Sequence, residues 1–265
     1  AARGCHIAIS DVDEAGLAET AHQVADTGVR VTTHRVDVAD RDQVYQHARD
    51  VAEAHGRVNI VINNAGVALG DALETAEYGD FEWIFAINFW GVVYGTKAFL
   101  PYLRQAGEGH IVNISSINGI VANPYNGPYC ATKFAVRGFT ECLSQELSGS
   151  GIGVTVVHPG GIKTNIARNA RMKNLLEPGF SPENVVKIYE EKLFKTTAET
   201  AARAIVEGIE NNRQRVLIGS DARVLDWMTR LFPVFAKNIV AWGTQRLARQ
   251  QAKAAAMLKG SPKRG

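Results

Sequence analysis

Short apolar, β-branched runs alternate with helix-length segments along most of this chain, and that alternation limits the fold more than any other feature. The runs are HIAIS (6–10), RVTTHRVDV (30–38), VNIVINN (58–64), HIVNIS (110–115), GVTVVHP (153–159) and RVLIG (215–219). Between them lie stretches long enough for helices, at 13–27, 40–55, 77–106, 128–148 and 197–211. The runs are nearly all apolar rather than alternating, as in strands covered by helices on both faces. Strand–helix–strand order needs right-handed crossovers, so the expected fold is α/β: a doubly wound parallel sheet in three layers. One domain is expected over 1–220, with a helical extension over 221–265.

In such sheets ligands bind beyond the carboxyl ends of the strands. Those ends read SDVD (10–13), DVAD (37–40), NNAG (63–66), SSINGI (115–120) and HPGGIKTN (158–165), all polar or glycine-rich. No run of 18 apolar residues is present to span a bilayer. A formal net charge of +2 gives no global case for nucleic acid as a partner. The three cysteines, Cys5, Cys130 and Cys142, have neither C-x-x-C nor metal-ligand spacing, so no metal is expected. They are expected to be small buried hydrophobes of a reducing compartment, which favours the cytoplasm.

The sharpest chemical element is YCATK, which sets Tyr129 and Lys133 four apart on a predicted helix and so on one face. A free tyrosine has a pKa near 10. A neighbouring ammonium favours phenolate and makes Tyr129 a candidate general acid/base at neutral pH. Ser116 ends an apolar strand, where its hydroxyl can hold an alcohol or carbonyl oxygen. Asn88 lies within an apolar helical stretch, where an amide is costly without partners.

These motifs resemble the short-chain dehydrogenase/reductase family, in the family's order, over residues 1–219: NNAG, the Asn of NFWGVVYGT, GHIVNISSING, Y-x-x-x-K and HPGGIKT. Ser116 stands thirteen residues before Tyr129, the family's usual separation, which selects it over Ser115. The resemblance implies a tetrad of Asn88, Ser116, Tyr129 and Lys133. Tyr129 would be the acid/base and Ser116 would hold the substrate oxygen. Lys133 would lower the tyrosine pKa and bind the nicotinamide ribose, and Asn88 would support a water reaching Lys133. A nicotinamide cofactor carries the hydride, because no side chain can. Besides Tyr129 and Lys133, the implied cofactor contacts are Asp37 and Val38 at the adenine, Asn64, Ala65 and Gly66 beside the ribose, and Ile162 and Thr164 at the carboxamide. Asp11 ends the first strand, where an acid binds the adenosine ribose and repels a 2′-phosphate; with Val12 after it, this favours NAD over NADP.

The family's dinucleotide site starts with a T-G-x-x-x-G-x-G turn on an earlier strand. The opening residues AARG supply only the end of the helix that would follow it. The chain is therefore expected to lack that strand, the turn and most of the helix, with weaker folding or cofactor binding as the consequence. SGSGIGV (148–154) imitates the turn but stands between a helix and a strand, so it is expected to be a helix stop and connector.

From Thr164 to the next helix the chain offers Ile166, Met172, Leu175, Leu176, Phe180, Ile188 and Phe194, at a position that forms a mobile lid in the family. That abundance suggests an apolar pocket for a bulky secondary alcohol or ketone of sterol, retinoid or long-chain type. Small diols or acetoin-like ketones are the alternative substrates, and a non-catalytic cofactor-binding or membrane-associated protein is the alternative class. Beyond 220, Leu225, Met228, Phe232, Phe235, Ile239 and Trp242 recur at 3,4,3,4,3 spacing, interrupted by Pro233, and no acid follows Asp226. This basic, apolar extension suits packing on its own domain or a sister subunit, or peripheral membrane contact through 221–250. The family resemblance implies a homodimer or homotetramer assembled through 77–106 and 128–148.

Overall fold

The structure, a computed structural model, describes residues 1–173, 186–188, 191 and 193–259, with side chains to residue 246. Six strands take the places expected of them: β1 (Ile7–Asp11), β2 (Val31–Arg35), β3 (Ile60–Asn63), β5 (Gly109–Ile114), β6 (Ile152–Pro159) and β10 (Arg215–Ile218). Four short strands lie at the rim: β4 (Leu69–Gly70), β7 (Ile162–Lys163), β8 (Arg171–Met172) and β9 (Thr196–Thr197). The helices are α1 (Glu14–Val24), α2 (Arg41–His55), α3 (Tyr78–Phe85), α4 (Gly91–Ala106), α5 (Gly127–Glu146), α6 (Ala198–Glu210), α7 (Ser220–Leu231) and α8 (Pro233–Lys259).

The main sheet is parallel, in the order β10-β6-β5-β3. β1 and β2 form a separate parallel pair, so among the described residues β1 bonds only β2 and β3 bonds only β5. Ile60 and Ile62 on β3 are exposed, whereas Val61 between them is buried. One face of this strand is therefore covered and the other open. Ala8 and Val38 nevertheless pack against the same core as β3, which joins the β1–β2 pair to the body.

Alternation along β5 divides the core. Ile111 joins Val44, Val61, Leu103 and Val154 on one face, and Val112 joins Val157, Val216 and Ile218 on the other. The helices start where the sequence offers capping oxygens. Asp13 accepts from Ala15 N at 3.1 Å, and Asp40 accepts from Asp42 N and Gln43 N at 2.9 and 3.1 Å. SGSGIGV is the expected connector: α5 ends at Glu146, Gly149 and Gly151 take positive φ, and β6 begins at Ile152.

Pro233 divides the extension into α7 and α8. One expectation needs correction. Cys5 and Cys142 are exposed and only Cys130 is buried, because the first lies outside the core and the second is on the outer face of α5. Of the apolar residues after Thr164, Ile188 and Phe194 are buried. Leu175, Leu176 and Phe180 lie outside the described residues.

Candidate active site

The carboxyl end of β5 runs directly into the site. Ser115 and Ser116 are adjacent and both buried, yet their hydroxyls do different things. Ser115 Oγ donates to Lys133 O at 2.8 Å and ties the strand end to α5. Ser116 Oγ caps the short 3-10 turn Ile117–Gly119 by accepting from Asn118 N at 3.1 Å. An oxygen held this way keeps its own proton available for another acceptor. The turn lies close against α5 because position 119 is glycine: a Cβ there would stand 2.6 Å from Lys133 O.

Tyr129 and Lys133 lie one turn apart on α5 and both are buried. Lys133 Nζ donates to Ile114 O at 3.0 Å and stands 5.7 Å from the centre of the Tyr129 ring. Burial pushes the Lys133 ammonium down to about 8, which leaves it protonated at pH 7. A charge so enclosed is tolerated because a fixed carbonyl faces it. The Tyr129 ring belongs to an apolar cluster with Leu69 and Ile84, edged by Val67, Trp83 and Phe85.

Asn88 is fully buried in a π-helical turn (Ala86–Trp90) joining α3 to α4. Its amide brackets the residue directly after NNAG, accepting from Val67 N at 2.8 Å and donating to Val67 O at 2.9 Å. It also reaches Thr132 Oγ1 on α5 at 3.2 Å. Asn88 therefore links the end of β3 to the helix carrying Tyr129 and Lys133. A π-bulge at a functional site is a recurrent arrangement.

The cofactor candidates lie at the strand ends. Asp11 closes β1 and is exposed, and its carboxylate accepts from Asp13 N at 3.1 Å. Asp37 is exposed and accepts from Ala39 N at 2.9 Å, while Val38 is half-buried against Gly91. Asn64, Ala65 and Gly66 form an exposed turn after β3. Gly66 does not have the positive φ that would make glycine an ordinary turn choice. It is small because a Cβ would meet Asn88 Oδ1 at 3.2 Å and Lys133 Nζ at 3.4 Å. Ile162 is half-buried in β7 and Thr164 is exposed beside it.

This set suits the ribose and nicotinamide portions of a dinucleotide: a buried ammonium, an open turn next to it, and acids at neighbouring strand ends. Among the described residues, no glycine-rich turn stands between a strand and a helix to receive the pyrophosphate.

Three positioning contacts were not expected from the sequence. Ser115 on Lys133 O and Lys133 on Ile114 O both use backbone carbonyls, which leave no mark in a sequence. The third is His158 on β6, fully buried, whose Nδ1 lies 3.0 Å from Ser116 O. Burial pushes the His158 imidazole down to about 4, so it is neutral and donates to that carbonyl. A histidine directly before PGG was the available signal.

The short chain dehydrogenase profile matches residues 1–175. SadH of Mycobacterium tuberculosis is 42% identical over 242 residues, covering 91% of this chain and 86% of its own. Estradiol 17-beta-dehydrogenase 11 of Macaca fascicularis is 31% identical over 208 residues, 75% of this chain and 69% of its own. A solved short chain dehydrogenase/reductase of Burkholderia phymatum, in complex with NAD, is 29% identical with a TM-score of 0.75, covering 85% of each chain. With Ser116 at the end of β5, Tyr129 and Lys133 on α5, and Asn88 bonded to Thr132 of that helix, the chain belongs to the short-chain dehydrogenase family of oxidoreductases.

Proposed function

We propose that this protein interconverts a secondary alcohol and a ketone with NAD or NADP, and that its substrate is bulky and hydrophobic, of sterol, retinoid or long-chain type. The observation that carries this reading is the buried Lys133 ammonium one helical turn from Tyr129, beside the turn capped by Ser116. The nicotinamide supplies or accepts the hydride. Ser116 Oγ donates to the substrate oxygen. Tyr129 gives its phenolic proton to that oxygen in reduction and takes it back in oxidation, and the ammonium of Lys133 favours the phenolate. Asn88 acts at one remove, holding the turn of Gly66 against Lys133. Asn64, Ala65, Gly66 and Lys133 hold the nicotinamide ribose, Ile162 and Thr164 the carboxamide, Asp37 and Val38 the adenine, and Asp11 the adenosine ribose. Asp11 favours NAD, because its carboxylate repels a 2′-phosphate.

Support for a hydrophobic substrate comes from the apolar cluster around Tyr129 and from the likeness to an estradiol dehydrogenase. The same reading includes a homodimer or homotetramer assembled through α4 and α5, where Phe134 on α5 and Trp90, directly before α4, are exposed. It also includes a reducing, cytoplasmic setting, in which the exposed Cys5 and Cys142 remain thiols.

The test combines fluorescence titration with NADH and NADPH and a turnover screen of sterols and long-chain secondary alcohols against short diols and acetoin. The reading expects tighter NADH binding and faster turnover of the large apolar substrates. Turnover confined to diols would overturn the substrate class, and cofactor binding with no turnover of any alcohol or ketone would overturn the activity.

A further inference from the structure

The C-terminal extension buries Asp226 and exposes its tryptophans. Asp226 on α7 is buried, held by Arg215 at 2.9 and 2.5 Å and by Arg230 at 3.1 Å. The other fully buried positions are small, Ala222 on α7 and Ala236 on α8, while Leu225 and Met228 are half-buried. Outward stand Trp227 (70% exposed) and Leu231 on α7, with Val234, Phe235 and Trp242 (58% exposed) on α8. The Phe232 and Phe235 rings meet edge to face at 6.5 Å, so the apolar surface continues across the break at Pro233. This reverses the usual arrangement of a helix on a globular domain, whose apolar face turns inward. Contiguous exposed apolar surface of this kind marks a contact with another phase or partner.

Charge identifies which. Arg223, Lys237 and Arg246 are exposed around the apolar face, and Arg246 lies 5.1 Å above the Trp242 ring. From residue 222 to the end the sequence has nine basic residues and one acid, Asp226, which is the one turned inward. A second copy docked face to face would bring like charges together. An anionic lipid surface complements both the charge and the aromatics, which favour the region between headgroup and acyl chain. No helix among the described residues is long and apolar enough to cross a membrane, so the contact lies in the surface plane.

We propose that α7 and α8 form a lipid-surface docking face for anionic bilayers, with Trp227, Phe235 and Trp242 inserted and Lys237 and Arg246 at the headgroups. Asp221, in the first turn of α7, accepts from Gly161 N at 2.8 Å. The face therefore begins at the loop that carries Ile162 and Thr164.

The test is co-sedimentation of the full chain with phosphatidylcholine vesicles, with and without phosphatidylserine, at low and high salt. Binding should be about tenfold stronger with phosphatidylserine and fall as salt screens the surface. The triple variant Trp227→Ala/Phe235→Ala/Trp242→Ala should lose about tenfold or more in binding with an unchanged melting temperature. Lys237→Gln/Arg246→Gln should lose the preference for phosphatidylserine, and it keeps the test decisive if the triple variant misfolds. Equal binding to both vesicle types, or binding indifferent to both variants, would overturn the proposal. So would a lipid-free dimer that the triple variant converts to monomer without any vesicle binding, since a second copy would then be the occupant.

Discussion

α5 and the α7–α8 pair are both helical and both mix polar with apolar residues, yet they bury opposite things. α5 turns Thr132 and Lys133 inward, each donating to a backbone carbonyl, of Tyr129 and of Ile114. α7 and α8 turn an acid and two alanines inward and leave large aromatics outside. A polar head is buried where neighbouring backbone is already fixed to receive it, which offsets much of its desolvation. An aromatic ring left in water gains nothing from its own fold. On the proposed reading, the first pattern serves a reaction centre and the second a surface that meets a lipid headgroup layer.

The comparison breaks most visibly at the two serines. Ser116→Ala should lower kcat by about 10²–10³, as for loss of one donor to a reacting oxygen, and cost about 1 kcal/mol of stability for the lost cap on Asn118 N. Ser115→Ala should keep kcat within a few-fold and lose about 1 kcal/mol of stability, the worth of an ordinary hydrogen bond. Steady-state kinetics and urea titration of the pair check this, and reversed roles would mean that the strand end is misassigned.

Asn88→Ala comes next. It strips the partners from Val67 N and Val67 O, and each buried backbone group left unpaired costs about 1–3 kcal/mol. A loss of about 2–3 kcal/mol by denaturant unfolding is expected, together with weaker cofactor binding because the Gly66 turn loosens. On the extension, Trp227→Ala should change stability by no more than about 0.5 kcal/mol, as for a surface residue.

A separate prediction concerns pH dependence. Burial pushes His158 and His47 down to about 4 from 6.5, with Arg215 and His34 lowering them further. The unfolded chain therefore takes up their protons first, and stability falls as pH drops from about 6.5 towards 4. His158→Asn retains a donor for Ser116 O and should flatten part of that slope, measured by unfolding at stepped pH.

Much of this was legible in the sequence, because parallel strands and tetrad spacing both leave periodic marks. The six main strands were found from their apolar runs, even though β2 is largely polar (VTTHR). The separation of Ser116 from Tyr129 chose between two serines whose hydroxyls do diverge in the structure. Contacts to carbonyls remained hidden: nothing in the letters says that Lys133 meets Ile114 O or that His158 meets Ser116 O. Gly66 was identified as important, but the reason is close approach to Asn88 and Lys133 rather than its φ. On the extension, the 3,4-spaced stripe shows that a face exists without saying which way it points. Leu225 and Met228 are half-buried, and Trp227, outside that stripe, is far more exposed than either.

The central claim is that the Tyr129 hydroxyl moves the proton at a site whose cofactor is held mainly by other groups. Tyr129→Phe, assayed for turnover and for NADH affinity on the same preparation, tests it most directly. The account predicts a loss of kcat of about 10²–10⁴, the range for a general acid/base, with NADH affinity within a few-fold of the parent. Turnover that survives the substitution would contradict it.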